Sequence, residues 1–265
     1  MVTEILRPAT VQEALKARTL PGSAYLGGGT WLNALRGAEP LILISLEKLG
    51  LDSIESPQNL CILGARVTFQ QCLDHGDVPA AVRQAMVLTA SRTLRNMITV
   101  GGEIALHPFD SALVPLLLAM EVQVSVAEKK KPVPFRAYLS DDGGDLVLSV
   151  SIPEPARPGG VRALSRTSHG PRSLVVAASA RTLHPRVSGL RLVASDCLGT
   201  VTRLAKLEDQ LEGARLPPRE DVERALGDEF SPQPDIHASS RYKLYMTRTL
   251  IADMLHEMAR AKVRP

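Results

Sequence analysis

Two glycine-rich segments constrain this chain more than any other feature, because each interrupts an apolar run. The first, Gly27–Thr30, follows the short predicted strand Ala24–Leu26 and precedes a helical segment predicted from Trp31 to Leu35. Glycine at such a junction lets the backbone adopt positive φ and approach a ligand closely. Amides at the start of a following helix face an anion. The segment fits a diphosphate, and it fits a ligand-free tight turn equally well.

Two common nucleotide motifs do not match this first segment. With Gly27 and Gly29 as the first two glycines of the dinucleotide fingerprint, Leu32 stands where the third glycine is required. A Walker A loop is also excluded, because no Lys followed by Ser or Thr comes after the glycines.

The second segment runs from Arg95 to Ala105 and holds the pair Gly101 and Gly102 beside Thr99. The surrounding residues read as a strand, and a β-bulge explains such glycines without a ligand. Two glycine segments in one chain, each with a threonine, favour one shared phosphate-rich ligand.

Periodicity around these segments predicts a mixed α/β organisation. A strand over Glu4–Leu6, a helix opened by the Thr10 and Glu13 capping box, and the continuously apolar strand Leu41–Leu46 form a small α/β unit. The further elements predicted are a hairpin of Asp52–Glu55 and Leu60–Ala65, a short helix opened by Thr68 and Gln71, helices over Val78–Ala90 and Asp110–Met120, strands over Val122–Val126 and Asp145–Ile152, a meander of Val161–Ser165, Ser173–Leu183 and Gly189–Val193, and closing helices over Thr200–Leu211 and Ser240–Lys262.

Composition excludes several classes of function. Aromatic residues make up only 3% of the chain and the net charge is +3, which argues against a nucleobase-stacking or phosphate-backbone surface. The sequence shows no signal peptide and no apolar stretch of membrane-spanning length, so we expect a cytoplasmic protein. The three cysteines form no CxxC pattern, and iron–sulfur ligands would therefore belong to another chain.

Two further groups of residues are candidate chemical sites. His107 and Asp110 could ligate a metal, although a histidine beside a proline is typical of a loop. Cys72 and His75 could form a nucleophile and base, although a pair on a surface helix is the commoner arrangement. No metal site and no catalytic side chain are predicted.

Taken together, the motifs resemble the medium, FAD-binding subunit of the xanthine dehydrogenase and carbon monoxide dehydrogenase family of molybdenum hydroxylases. Those proteins carry an Ala-Gly-Gly-Thr-Asp-Leu segment and, well downstream, a Thr-Ile-Gly-Gly-Asn segment. The matching positions here are Leu26–Leu32 and Thr99–Ala105, with Arg95-Asn96 before the second and Asp110–Ala119 after it. The order and spacing of these motifs extend over essentially the whole chain.

The resemblance implies an α+β fold. It consists of a two-subdomain FAD-binding domain of the vanillyl-alcohol-oxidase-like type, followed by a C-terminal three-stranded antiparallel sheet with helices. The Pro- and Gly-rich stretch Pro153–Gly160 then divides a FAD-binding domain over residues 1–155, with subdomains of about 1–52 and 53–155, from a C-terminal domain over 160–265.

The resemblance also implies the function. The chain would be an FAD-dependent oxidoreductase subunit, incomplete without partner subunits. It would pass electrons from iron–sulfur clusters on one partner, supplied by a molybdopterin subunit, to NAD or another acceptor. The implied cofactor-binding residues are Tyr25, Leu26, Gly27, Gly28, Gly29, Thr30, Trp31, Leu32, Thr99, Val100, Gly101, Gly102, Glu103, Asp110, Ser111, Leu148 and Ser165.

Three of these positions depart from the family pattern. Trp31 replaces a short polar residue, Glu103 replaces an asparagine, and Ser165 stands where a lysine is common, with Arg166 as the neighbouring cation. These departures leave an alternative open, namely an assembly or interaction subunit that keeps the fold without FAD.

Overall fold

A computed structural model describes residues 2–32, 41–141, 144–167 and 170–261 of the chain. Within these ranges no helix is both long enough and apolar enough to cross a membrane. The cytoplasmic location stays a prediction. The predicted helix from Trp31 to Leu35 lies mostly outside the described residues, and Trp31 itself lies in a turn.

The described strands, in chain order, are Val2–Leu6 (β1), Ser23–Leu26 (β2), Leu41–Ser45 (β3), Ile54–Glu55 (β4), Leu60–Gly64 (β5), Gln123–Val126 (β6), Val133–Pro134 (β7), Val147–Pro153 (β8), Gly159–Ser165 (β9), Arg172–Ser179 (β10), Arg191–Asp196 (β11) and Val201–Arg203 (β12). The described helices are Val11–Arg18 (α1), Phe69–Asp74 (α2), Ala80–Thr89 (α3), Arg92–Arg95 (α4), Val100–Leu106 (α5), Leu113–Ala119 (α6), Phe135–Leu139 (α7), Ala205–Leu211 (α8), Arg219–Ala225 (α9) and Ser240–Ala261 (α10).

These elements form two compact units, each assembled from separate stretches of chain. Unit 1 comprises Met1–Val78, Arg92–His107 and Val122–Pro153. Unit 2 comprises Pro79–Ser91, Pro108–Glu121 and Glu154–Pro265. Two short helical stretches of the N-terminal half therefore group with the C-terminal half. The division into domains 1–155 and 160–265 stays a prediction.

Unit 1 begins with a parallel sheet in the order β1-β3-β2. The predicted apolar strand is present as β3, which lies at the centre of the sheet, where both of its edges pair with neighbouring strands. Helix α1 begins after Thr10, whose Oγ1 accepts a hydrogen bond from the Glu13 amide at 3.2 Å. Ala14 of this helix packs in one apolar cluster with Ile44, Leu46 and Leu146.

The second sheet of unit 1 is antiparallel, in the order β4-β5-β8-β6-β7. The predicted hairpin is present as β4 and β5, and β8 pairs with both β5 and β6. Helix α2 has the predicted capping box, in which Thr68 and Gln71 satisfy each other's backbone amides. Between β5 and α2 the chain makes the short turn Ala65–Val67.

Unit 2 is built on an antiparallel sheet in the order β12-β11-β10-β9. Leu174 of β10 and Leu192 of β11 share one apolar core with Leu207, Phe230 and Leu255. Helices α3 and α6 pack on the same sheet. The meander is confirmed, and the sheet gains a fourth strand beyond the predicted three.

That fourth strand corrects the predicted helix Thr200–Leu211. Residues Val201–Arg203 pair with Val193–Ser195 of β11, so the helix begins only at Ala205. A β-branched valine and threonine next to the turn at Gly199 favour extension of the hairpin over helix.

Candidate functional site

The first glycine segment lies directly after β2 in unit 1. Tyr25 and Leu26 are the last residues of that strand, and the Leu26 carbonyl accepts from the Leu46 amide at 3.2 Å. Gly27, Gly28 and Gly29 are half-buried, and Gly29 has φ +73. The backbone at Gly29 lies in the left-handed region, which glycine adopts without a steric penalty. The segment therefore turns sharply away from the sheet edge.

The two glycine segments touch each other. A Cβ on Gly28 would lie 1.6 Å from the carbonyl oxygen of Met97, and a Cβ on Gly27 would lie 2.8 Å from Thr99 Oγ1. Any side chain at Gly28 would overlap backbone atoms, which cannot rotate away. Glycine is thus required by the close approach of the second segment, and the fold brings together the two motifs found far apart in the sequence.

The second segment is the start of a helix, so the strand-like prediction for it is wrong. Thr99 is the N-cap of α5, with extended backbone angles, and its Oγ1 accepts from the Gly102 amide at 3.2 Å. Gly101 packs on the turn after β5, where a Cβ would lie 2.6 Å from that of Ala65. The glycines allow the helix to begin in contact with this turn.

The first amides of α5 are all engaged within the protein. Val100 donates to the Val67 carbonyl at 2.9 Å, and Gly101 donates to the Ala65 carbonyl at 2.8 Å. The Gly102 amide donates to Thr99 Oγ1, and the Glu103 amide donates to the Thr99 carbonyl at 2.9 Å. A helix start normally leaves such donors available for an anion. Here they hold α5 in place.

The first segment, in contrast, leaves its amides without acceptors in the part of the protein that the structure describes. Within the described ranges, the amides of Gly27, Gly28, Gly29 and Thr30 donate to no protein acceptor. The course of this loop is fixed by contact with Met97, so the four successive amides form a donor set suited to phosphate oxygens. Of the two segments, Gly27–Thr30 is therefore the one whose amides have no acceptor among the described residues.

The carboxyl group of Glu103 does not need to face an anion. Glu103 is only 5% exposed and lies in the first turn of α5, where the helix dipole favours a negative charge. The exposed position of this helix start is Gly102. Replacement of the family's asparagine by glutamate is compatible with a phosphate on the first segment.

Tyr25 and Leu148 contact the same apolar cluster of unit 1. Burial raises the pKa of the Tyr25 phenol to about 12, with the carboxylate of Glu128 adding to the effect. The Arg18 guanidinium lies 5.8 Å from the centre of the Tyr25 ring. The Tyr25 hydroxyl is buried without a hydrogen-bond partner among the described residues. Leu148 also fixes the turn under α5, because its carbonyl accepts from the Ala65 amide at 2.9 Å.

Trp31 and Leu32 follow the first segment directly. The Trp31 side chain is 53% exposed, whereas Leu32 is half-buried. The chain contains a single tryptophan. An exposed indole therefore lies two residues after Gly29 in the chain.

The remaining predicted residues, Asp110, Ser111 and Ser165, belong to unit 2. Ser111 is buried, and its Oγ accepts from the Leu113 and Val114 amides at 3.1 and 3.2 Å. It therefore caps α6. Ser165 Oγ donates to the Thr167 carbonyl at 2.8 Å.

Asp110 and Ser165 meet at a cation that the sequence does not single out. Arg172 faces Ser165 across the β9–β10 ladder, and its Nη1 lies 3.7 Å from Asp110 Oδ2. Its side chain is 12% exposed, whereas Arg166 is exposed. Arg172 is thus a largely buried cation across the ladder from the position where the family carries lysine. Its place opposite Ser165 depends on strand register, which no local pattern reveals.

The other candidate groups do not assemble into sites. Cys72 is fully buried, and burial raises the pKa of its thiol to about 12, with Cys61 adding to the rise. Such a thiol carries too little thiolate to act as a nucleophile. His107 ends α5 in the left-handed conformation. Across the parts of the chain that the structure covers, no group of histidine, cysteine, aspartate or glutamate is arranged to hold a metal ion.

Comparison with known proteins agrees with this geometry. Residues 1–155 match the family described as the FAD binding domain in molybdopterin dehydrogenase. The uncharacterized protein YgfM of Escherichia coli K12 is 32% identical over 265 residues, covering 98% of both chains. The nicotine 6-hydroxylase medium subunit of Paenarthrobacter nicotinovorans is 26% identical over 268 residues, covering 92% of this chain and 93% of that one.

Solved structures share the fold over nearly the full length. A chain of quinoline 2-oxidoreductase from Pseudomonas putida 86 superposes with a TM-score of 0.86 at 19% identity, covering 98% of each chain. A chain of carbon monoxide dehydrogenase from Hydrogenophaga pseudoflava superposes with a TM-score of 0.87 at 21% identity, covering 99% of this chain and 98% of that one. This likeness confirms the predicted fold class.

Proposed function

Because this chain belongs to the family of FAD-binding domains of molybdopterin dehydrogenases, we propose that it is the flavin subunit of a molybdenum hydroxylase complex. In this role it receives electrons from iron–sulfur clusters on a partner subunit and delivers them to NAD or another acceptor. The family membership confirms the resemblance drawn from the two glycine segments, the cofactor class FAD and the oxidoreductase assignment.

A single observation carries the proposal for cofactor binding. The amides of Gly27–Thr30 have no protein acceptor within the described ranges, while the segment is held in place by contact with Met97 and Thr99. A diphosphate needs several convergent donors at fixed positions. The segment offers four such donors that no acceptor in the described ranges occupies, so the residues present fit the diphosphate of FAD.

The predicted cofactor residues of unit 1 then divide into two roles. Gly27–Thr30 bind the diphosphate through their amides, and the Thr30 hydroxyl adds a donor. Trp31 and Leu32, which follow Thr30 directly, would lie next to a cofactor held there. The other predicted residues position this segment. Those at the start of α5 do so because their backbone hydrogen bonds hold the helix in place; they are Thr99, Val100, Gly101, Gly102 and Glu103. Tyr25 and Leu26 precede the segment in β2, and Leu148 packs on the same apolar cluster as Tyr25.

Of the predicted cofactor residues in unit 2, Asp110 contacts Arg172 and Ser165 lies in register with it; a cofactor role for these two residues stays a prediction. Ser111 fixes the loop by capping α6. When bound, FAD supplies the exchange between single-electron and paired-electron transfer that an iron–sulfur donor and a nicotinamide acceptor require. The protein side chains bind and orient; none is required as an acid or base.

The proposed partners rest on the family of the chain. The matching family is described as a domain of molybdopterin dehydrogenases, and the relative from P. nicotinovorans is a medium subunit by name. A medium subunit works beside other subunits of its enzyme. We therefore infer an iron–sulfur subunit and a molybdopterin subunit as partners of this chain.

Flavin binding is tested first on the purified chain. The protein is unfolded, stripped of bound nucleotide, refolded and titrated with FAD, with FMN and AMP as truncated ligands. We expect saturable uptake of FAD and weaker binding of FMN, which lacks the diphosphate. A chain that remains colourless and takes up no FAD would be an assembly subunit instead, and the proposal would be abandoned.

The relay is tested on the complex. Removal of this subunit is expected to leave substrate oxidation with an artificial dye intact and to abolish substrate-dependent reduction of NAD. Re-addition of the FAD-loaded chain should restore NAD reduction. If NAD reduction persists without the subunit, electrons reach the acceptor by another route and the relay role is refuted.

A further inference from the structure

Three reactive side chains from three separate segments of unit 2 meet away from the glycine segments. Cys197 follows β11, Asp235 lies in the loop before α10, and Lys243 lies in the first turn of α10. The Lys243 Nζ is 2.8 Å from Asp235 Oδ2 and 3.5 Å from Cys197 Sγ. The Cys197 thiol donates to the same Asp235 Oδ2 at 2.8 Å. Sulfur, nitrogen and a carboxylate oxygen are thus in mutual contact.

The positions of these atoms are fixed by surrounding hydrogen bonds. Lys243 is fully buried and also donates to the Gln233 carbonyl at 2.7 Å. Asp235 Oδ1 accepts from the His237 and Ala238 amides at 2.6 and 2.7 Å. Burying a lysine requires an ionised partner and further acceptors, and this loop supplies both. The nitrogen is therefore held beside the sulfur rather than sampling solvent.

Cys197 differs from the other two cysteines in being partly exposed. Cys197 is half-buried and lies at the turn between β11 and β12, next to Leu198, which is 61% exposed. Cys61 and Cys72 are 0% exposed in unit 1. Cys197 is thus the cysteine of this chain that combines access with an adjacent amine and a proton acceptor.

We propose that Cys197 and Lys243 form a site of oxidative modification, at which dioxygen joins Sγ to Nζ through one bridging oxygen atom. The S–H bond and two N–H bonds break, and an S–O and an O–N bond form. Dioxygen takes up four electrons from the sulfur and the nitrogen; one of its atoms enters the bridge and the other leaves as water. Two of the three released hydrogens leave in the water molecule, and Asp235 accepts the third as a proton and passes it to solvent.

The contact distances favour this product over further oxidation of the sulfur. Oxidation of a cysteine begins at sulfur and proceeds through sulfenic to sulfinic and sulfonic acids unless another group captures it. Here Nζ lies at contact distance from Sγ, so capture needs no movement of either backbone segment. The bridge would tie the β11–β12 turn covalently to the start of α10.

Mass spectrometry of the intact, folded chain tests the proposal. Samples kept under argon with reductant are compared with samples exposed to air, and both are digested with trypsin. A bridged Lys243 blocks cleavage, so peptide 192–203 should appear linked to peptide 242–248. The mass of the pair should equal the two peptides plus one oxygen atom and minus two hydrogen atoms, and thiol reductant should release it.

Variants provide matched controls. Cys197→Ser removes the sulfur, and Lys243→Arg keeps a cation beside Asp235; neither should give a linked pair. Cys61 and Cys72 report unspecific oxidation within the same sample. Detection of Cys197 only as free thiol or as sulfur acids in the aerated wild-type chain overturns the proposal. So does a linked pair that lacks the additional oxygen.

Discussion

The contact between the two glycine segments can be broken by a single methyl group. Substitution of Gly28 by alanine places the new Cβ 1.6 Å from the Met97 carbonyl oxygen and 2.6 Å from its carbonyl carbon. Both atoms belong to the backbone, so no rotamer change relieves the overlap. The first segment, whose amides constitute the proposed diphosphate site, must move away from α5.

The size of that movement sets the expected effect. Carbon and carbonyl oxygen approach to about 3.3 Å, so the segments must separate by roughly 1.7 Å. Overpacking of this kind lowers the free energy of unfolding by about 1–3 kcal/mol. Loss of one charge-assisted hydrogen bond to a phosphate weakens binding by about 1.5–3 kcal/mol, which is at least a tenfold rise in Kd. We expect both effects in Gly28→Ala.

Two measurements separate the effects. Urea unfolding of the apoprotein gives the change in stability, and FAD titration at a temperature where the variant is fully folded gives the change in Kd. Gly76→Ala is the matched control in the same unit, because no atom lies within 4 Å of the Cβ that it would introduce and its backbone is not left-handed. It should change the free energy of unfolding by less than about 0.5 kcal/mol.

The reasoning fails if Gly28→Ala binds FAD with the affinity of the wild-type chain. Such a result would mean that the position of Gly27–Thr30 does not depend on Met97, or that the diphosphate binds elsewhere. A variant that loses stability but keeps its affinity would separate the packing role of Gly28 from the binding role of the segment.

Three further outcomes are expected. Thr99→Ala removes the cap of α5 and should lower the free energy of unfolding by about 1 kcal/mol. Thr99→Ser keeps a hydroxyl and should retain most of this stabilisation, so equal urea midpoints for the two variants would contradict the capping role. Asp235→Asn leaves the buried Lys243 ammonium without a counter-charge and should lower stability by about 3–5 kcal/mol in urea unfolding at neutral pH, against a change below about 1 kcal/mol if the pair were dispensable. Burial alone would raise the pKa of Asp235, but hydrogen bonds from Cys197, Lys243 and two backbone amides outweigh it and hold this pKa well below its ordinary value. The carboxylate therefore stabilises the fold above about pH 4, and this contribution is lost as the pH falls below it. Acid titration followed by circular dichroism should show a shallower loss of stability in Asp235→Asn than in the wild-type chain, and parallel curves would rule out this linkage.

Elements with strong local signals are predictable from sequence. The continuous apolar run of Leu41–Leu46 predicts a strand, and β3 is present over Leu41–Ser45. The Thr68 and Gln71 spacing predicts a capping box that is present in α2. The first glycine segment is recognisable from composition as backbone that turns sharply or approaches another group closely, but composition alone does not distinguish a diphosphate site from a ligand-free turn.

The second segment is not predictable in the same way. Gly101 and Gly102 are poor helix formers, and the valine and isoleucine around them favour a strand. The helix forms because Ala65 and Val67, on another element, accept the amides of its first turn. Arg172 escapes prediction for a related reason: its position opposite Ser165 is set by the pairing of β9 with β10. Both depend on contacts between segments distant in sequence.

The composition of unit 2 from separate stretches of chain has a consequence during synthesis. Helices α3 and α6 emerge from the ribosome long before strands β9, β10 and β11, against which they pack. Leu113, Leu116 and Leu117 of α6, each at most 1% exposed in the folded chain, have no sheet to cover them until translation has passed residue 196. A nascent chain halted near residue 155 therefore presents an uncovered apolar helix to chaperones. For the same reason, expression of residues 1–155 alone, the part that matches the FAD-binding family, should yield insoluble protein.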